Sequence, residues 1–163
     1  MHDNKNVPCK LKNLPEELTN IFFTDLGNGW FRYGKAAIKL FTERKNWTDA
    51  RSHCQSLGGD LLSITSSHEN DFVHDVFVEN LNLTFLQDLN EHGVWIGLNN
   101  PEGSAGFSWS DGTPVGQFMN LPNYNPEPNK TGRKCVAMAK DKKWLDKHCD
   151  LKYPFLCEKP APP

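Results

Sequence analysis

From Asn99 to Lys134 the chain runs through a stretch rich in Asn, Pro, Gly and Ser, in which only "GFSW" resembles a strand. A loop of that length inside a compact domain is uncommon and is usually functional. Regular elements on either side must therefore hold it. Before it, "WFRYGKAAIKLF" (30–41) has the alternating aromatic pattern of two short strands joined at Gly34. "NWTDARSHCQSLGG" predicts a helix capped by Asn46, with Trp47, Ala50, Cys54 and Leu57 on one face and Gly58-Gly59 as its stop. A second helix is predicted to open at Ser66 with Glu69 three residues on, a capping box, and to bury Phe72, Val73, Val76 and Phe77. "VWIGL" (94–98) reads as a buried strand, and "KCVAMA", "KKWLDKHC" and "PFLCEK" as three closing strands. The order predicts an α+β domain, with two helices packed on antiparallel sheets.

The size of 163 residues suits one such domain, and 37% apolar with 23% charged residues suits a folded globular chain. No apolar run approaches the ~20 residues that span a bilayer, so no membrane insertion is expected. The start, "MHDNKNVPCK", has no apolar core of a secretory signal. Cys9, Cys54, Cys135, Cys149 and Cys157 form no CxxC pair or zinc-like cluster. Sequons at Asn46, Asn82 and Asn129 agree with the cysteines in pointing to an oxidising, glycosylating, extracellular setting.

Charge is segregated along the chain. Between Ser52 and Asn129 there is no Lys or Arg, whereas Lys130, Arg133, Lys134, Lys140, Lys142, Lys143, Lys147 and Lys152 crowd the segment that follows. Such a block is ordinarily a solvated face, and it would also suit an anionic partner. The histidines show no HExxH spacing, and there is no G-x-S-x-G or P-loop, so no catalytic residues and no enzyme are expected. The basic segment lacks interleaved aromatics, which argues against nucleic acid. Trp95, Trp109 and Trp144 sit within the strand motifs and are predicted to be core.

"WTDARSHCQSLGGDLLSI", "WIGL", "FSWSDGTPV", "EPN", "KCVAM", "KWLD" and "PFLCEK" follow one another as in a C-type lectin-like domain. The resemblance covers roughly residues 28–159. It leaves 1–27 as an N-terminal leader or arm and 160–163 as a Pro-rich linker stub. Modules of mannose-receptor-type endocytic receptors look similar. The resemblance implies bridges Cys54–Cys157 and Cys135–Cys149; spacing alone leaves three connectivities open. Cys9 lies outside the pattern and is a candidate for an intermolecular or intermodule disulfide.

In sugar-binding members of that family, a calcium ion is held by the Glu and Asn of "EPN", a Glu two residues before the loop cysteine, and the Asn and Asp of "WND". Carried over, Glu127, Asn129 and Asp146 match, but Arg133 replaces the second Glu and Leu145 the Asn. Calcium takes roughly 6–8 oxygen ligands. A fixed cation a few ångströms away repels it by on the order of several kcal/mol. Two arrangements answer to this set. Either Arg133 swings out and a weak calcium stays on Glu127, Asn129 and Asp146, or Arg133 or Lys134 replaces the ion and pairs with Glu127 and Asp146. We take the second as the working expectation, with no cofactor or at most weak calcium. The function expected is an extracellular, non-enzymatic recognition module that binds a protein or anionic ligand through the long loop with weak or no calcium dependence, its partner being a protein or glycan, with Glu127, Asn129, Lys130, Arg133, Lys134 and Asp146 as the candidate ligand-binding set. The alternatives are calcium-dependent mannose-type binding through Glu127-Pro128-Asn129 and a purely architectural module of a receptor ectodomain.

Overall fold

The computed structural model describes residues 24–79, 93–101, 106–122 and 132–163. The elements are β1 (Thr24–Gly27), β2 (Trp30–Tyr33), β3 (Ala36–Lys45), α1 (Trp47–Ser56), β4 (Asp60–Leu61) and α2 (Ser67–Val73). They continue with β5 (Val94–Asn99), β6 (Ser108–Trp109), β7 (Cys135–Met138), β8 (Trp144–Lys147) and β9 (Tyr153–Pro160). The main path of the sheet is β1-β2-β3-β9-β5-β7-β8, with β4 on β9 and β6 on β5. The β5–β9 pairing is parallel at Trp95 and Phe155, so the sheet is mixed rather than wholly antiparallel. Local pattern could not show this, because β9 enters the middle of the sheet from the far end of the chain.

Both faces of the central strands are covered, and the alternation of side chains sorts them into two cores. Val94, Ile96 and Leu98 of β5, Val136 and Met138 of β7 and Leu156 of β9 join α2, Trp109 and Trp144 in one cluster. Trp95, Ala137, Phe155 and Cys157 point the other way and pack with Trp47, Ala50 and Cys54 of α1. All three predicted core tryptophans are buried. The indole N–H of Trp95 donates to the Lys45 carbonyl, and that of Trp144 donates to Asn70 Oδ1 at 2.8 Å. Burial therefore strands neither of these two indole N–H groups.

Asn46 caps α1 as expected, its side-chain oxygen accepting the Asp49 N–H at 2.8 Å. Leu57, expected on the buried face, is instead 39% exposed. It is the C-cap, where the helix turns off before the next apolar position can reach the core. In unglycosylated protein, Asn46→Ala should cost ~1 kcal/mol of stability, while Asn46→Asp keeps the cap. Urea midpoints of the two variants measure the difference. Ser66 caps α2 by accepting the Glu69 N–H, but Glu69 takes the N–H of Thr65 in place of the reciprocal bond. After Val73 the helix widens into a π-helical turn, His74–Val78, which buries Val76 and Phe77 as predicted.

Both ends of the domain differ from the sequence reading. Thr24–Gly27, assigned to the leader, forms β1 paired with β2. Pro160, assigned to the stub, pairs with Ala36, and the Ala161 N–H donates to the Lys35 carbonyl. Cys54 is bonded to Cys157 and Cys135 to Cys149, with Cα–Cα separations of 5.3 and 5.2 Å. These are the pairs that the resemblance implied. Cys9 lies outside the described residues.

Gly97, inside "WIGL", marks a close approach. A Cβ there would fall 2.9 Å from the Leu61 carbonyl oxygen and from Ser110 Oγ. Its N–H donates to Leu62 and its carbonyl accepts from Ser110. This glycine lets β5 lie against both the 60s segment and the turn after β6.

Candidate functional site

Of the predicted ligand set, the structure describes Arg133, Lys134 and Asp146; Glu127, Asn129 and Lys130 lie outside the described residues, as do the sequons at Asn82 and Asn129. Arg133 is exposed and Lys134 half-buried, immediately ahead of the bridged Cys135. The Lys134 carbonyl accepts the Asn100 N–H at 2.7 Å, which closes the base of the long loop. Asp146 is half-buried on β8 and lies opposite Val136, with Cys135 opposite Lys147. The register thus brings Arg133, Lys134 and Asp146 onto neighbouring segments clamped by the Cys135–Cys149 bridge. Leu145, in the position of an amide ligand, offers no oxygen from its side chain. Lys152 is exposed beyond Cys149, whereas Lys140 and Lys143 are exposed in the β7–β8 turn at the opposite end of the hairpin, where Lys142 is tied to Asp71 at 3.3 Å.

The Asn46 side-chain oxygen is committed to its cap, so a glycan would attach to the other atom of that amide, Nδ2. Asn46 itself is half-buried.

A second constellation escaped sequence reasoning. Tyr33, Lys35, Ser63, Glu69, Asp111 and Glu158 line a cavity of about 850 Å³ where the β2–β3 turn, the 60s segment, the 110–113 turn and β9 meet. Ser63 Oγ lies 2.9 Å from Asp111 Oδ2 and 2.8 Å from Glu158 Oε1, and the Ser63 N–H donates to Glu158 Oε1. Burial, then the Asp111 carboxyl hydrogen-bonded to it, push Glu158 up to about 8 against the pull of the Ser63 donors. Burial opposes ionisation of Asp111 as well. Hydrogen bonds from Glu158, Thr113 and Ser63 outweigh it and hold Asp111 below its ordinary value. Burial pushes Glu69 up to about 7, with the Thr65 N–H opposing and Asp111 adding. Beside this group, Arg51 pairs with Asp60 and donates to the Ser110 carbonyl, while Ser110 Oγ donates to Asp60 at 2.7 Å. The visible signal was slight: Asp111 in "SDG" looks like a turn residue, and Glu158 like an exposed strand end.

His74, Asp75 and Glu79 also place ligand-type atoms near one another. The His74 ring is already committed, Nδ1 to Asp75 at 2.9 Å and Nε2 to the Lys140 carbonyl at 2.6 Å. It ties the π-helical turn to the β7–β8 turn.

Comparison with known proteins agrees with this architecture. Residues 43–159 match the Lectin C-type domain family. The snaclec botrocetin subunit alpha of Bothrops jararaca is 35% identical over 146 residues, 85% of this chain and 100% of that one. C-type mannose receptor 2 of Mus musculus is 31% identical over 131 residues, 80% of this chain but 8% of the receptor. Among solved structures, a calcium-independent type II antifreeze protein superposes with a TM-score of 0.67 at 27% identity, covering 86% of this chain and 97% of that one. Sequence motifs, two bridges and mixed sheet therefore converge: the chain belongs to the C-type lectin domain family, whose members are generally non-enzymatic binding proteins.

Proposed function

We propose that this domain is an extracellular recognition module that binds a protein or anionic ligand through the long loop and the basic surface at its base, with little or no need for calcium. The observation that supports this most is the exposed Arg133 leading into the bridged β7, where a calcium-binding relative would present a carboxylate. Leu145 removes a further oxygen on the adjacent strand, leaving Asp146 as the sole side-chain oxygen donor from the β8 portion of the set. Lys134 beside Arg133 and Lys147 opposite Cys135 add positive charge at that end, and positive surface of this kind steers anionic partners. The likeness to a calcium-independent type II antifreeze protein supports a role for this fold without calcium.

Calorimetric titration tests the metal side. No binding is expected at micromolar calcium, and a micromolar event lost in Glu127→Gln would restore the mannose-type alternative. Heparin, as a probe polyanion, is expected to retain the domain in EDTA. Arg133→Glu with Lys147→Glu should elute it at markedly lower salt, since each phosphate- or sulfate-type contact carries a salt dependence. Retention on mannose-agarose that EDTA abolishes would contradict the proposal. Failure to bind either matrix would favour the architectural reading.

A further inference from the structure

We propose that Ser63, Asp111 and Glu158 form a one-proton latch that fastens residues 111–122, in the middle of the long loop, to the central strand β9. The argument begins with counting protons. A serine hydroxyl carries one, yet Ser63 Oγ is within hydrogen-bond distance of carboxyl oxygens of both Asp111 and Glu158. Both carboxyls therefore converge on this one hydroxyl, close enough for each to alter the other's affinity for a proton. Two ionised carboxylates have no proton to share and repel at such a distance. With one proton on the pair, the cluster has two donors, that proton and the Ser63 hydroxyl, to set among its carboxyl oxygens, while Asp111 stays ionised and accepts the Thr113 N–H through its other oxygen.

Other charged and titratable groups surround the pair. From the β2–β3 turn, Tyr33 and Lys35 face the cavity, and from α2 Glu69 adds a third carboxyl. Asp60 of β4 is already held by Arg51 and Ser110. Lys159 of β9 places its ammonium over the Trp30 ring at 4.2 Å. When the pH rises and the shared proton leaves, the Asp111–Glu158 contact turns from attractive to repulsive. The weaker element then gives way. β9 is paired with β3, β4 and β5, whereas Asp111 and Gly112 are exposed turn residues. Ser110 stays fixed by Arg51 and Asp60, so it acts as the pivot. The latch is closed when the pair holds its proton and open when both carboxyls are ionised.

Hydrogen exchange by mass spectrometry on the full chain, in EDTA at about pH 6 and about pH 9, tests this after correction for intrinsic rates. Peptides covering 111–122 should lose protection about fivefold or more relative to those of β7. Glu158→Gln can donate to Asp111 at every pH, so its 111–122 peptides should show no such change. Should near-UV circular dichroism show that variant unfolded, Asp111→Asn supplies the same amide donor from the other side. A wild-type segment whose protection is unaltered by pH overturns the latch. So does a pH response that persists in the folded amide variant.

Discussion

Replacing Cys54 and Cys157 together by alanine is expected to lower the unfolding free energy by about 4–5 kcal/mol. The bridge joins residues 103 apart, and closing a loop of ~100 residues removes ~4.7 kcal/mol of denatured-chain entropy in the simplest treatment. Both cysteines are almost wholly buried beside Phe155 and Trp95, so deleting the sulfurs also opens a gap in that core. Replacing Cys135 and Cys149, only 14 apart, should cost about 3 kcal/mol. Guanidinium unfolding of both variants checks the ranking. Equal losses, or a larger loss for the shorter loop, would contradict the entropy argument.

The second large effect is an inverted dependence of stability on pH. Glu158 holds its proton up to about 8 in the folded state but releases it near 4.5 when unfolded. Between those values the native state binds the extra proton, so stability falls as pH rises. Glu69 acts in the same direction over the narrower window up to about 7. Asp111 has the opposite sign, its contribution being lost only in stronger acid, as pH falls through its depressed value. A tenfold difference in proton affinity corresponds to ~1.4 kcal/mol, and relaxation of the half-buried cluster reduces the full sum. A loss of about 3 kcal/mol from pH 5 to 8.5 is expected on that basis. Glu158→Gln should flatten most of the curve. Urea unfolding across that range measures it, and a wild-type stability that climbs with pH would refute the assignment.

Much of the scaffold could be read from local chemistry because local chemistry creates it. Asn46 and Ser66 satisfy helix N–H groups within three residues, so their caps are visible in a short window. The tryptophans sit in alternating strands, and alternation survives into the structure as two cores. The cysteine pairing needed the family resemblance, because spacing alone gives no preference. What stayed hidden is nonlocal. Glu158 reads as the polar end of a strand until β9 is placed against Ser63, 95 residues away. The parallel pairing of β5 with β9 and the short strand β4 have the same origin. At the candidate ligand site, the sequence reading exposed the replacement of oxygen donors by Arg133 and Leu145. The partners of those side chains depend on how the loop folds back, and the residue pattern does not encode that in any short stretch.

The position of β9 also has a bearing on biosynthesis. β9, which follows every other strand of the sheet in the sequence, lies between β3 and β5, so a nascent domain presents two open edges until that strand emerges. Cys54 must wait equally long for Cys157, while Cys135 and Cys149 reach it first. Wrong thiol pairing during translation is the characteristic hazard of such an order, and oxidoreductase assistance should raise the yield of correctly bridged protein.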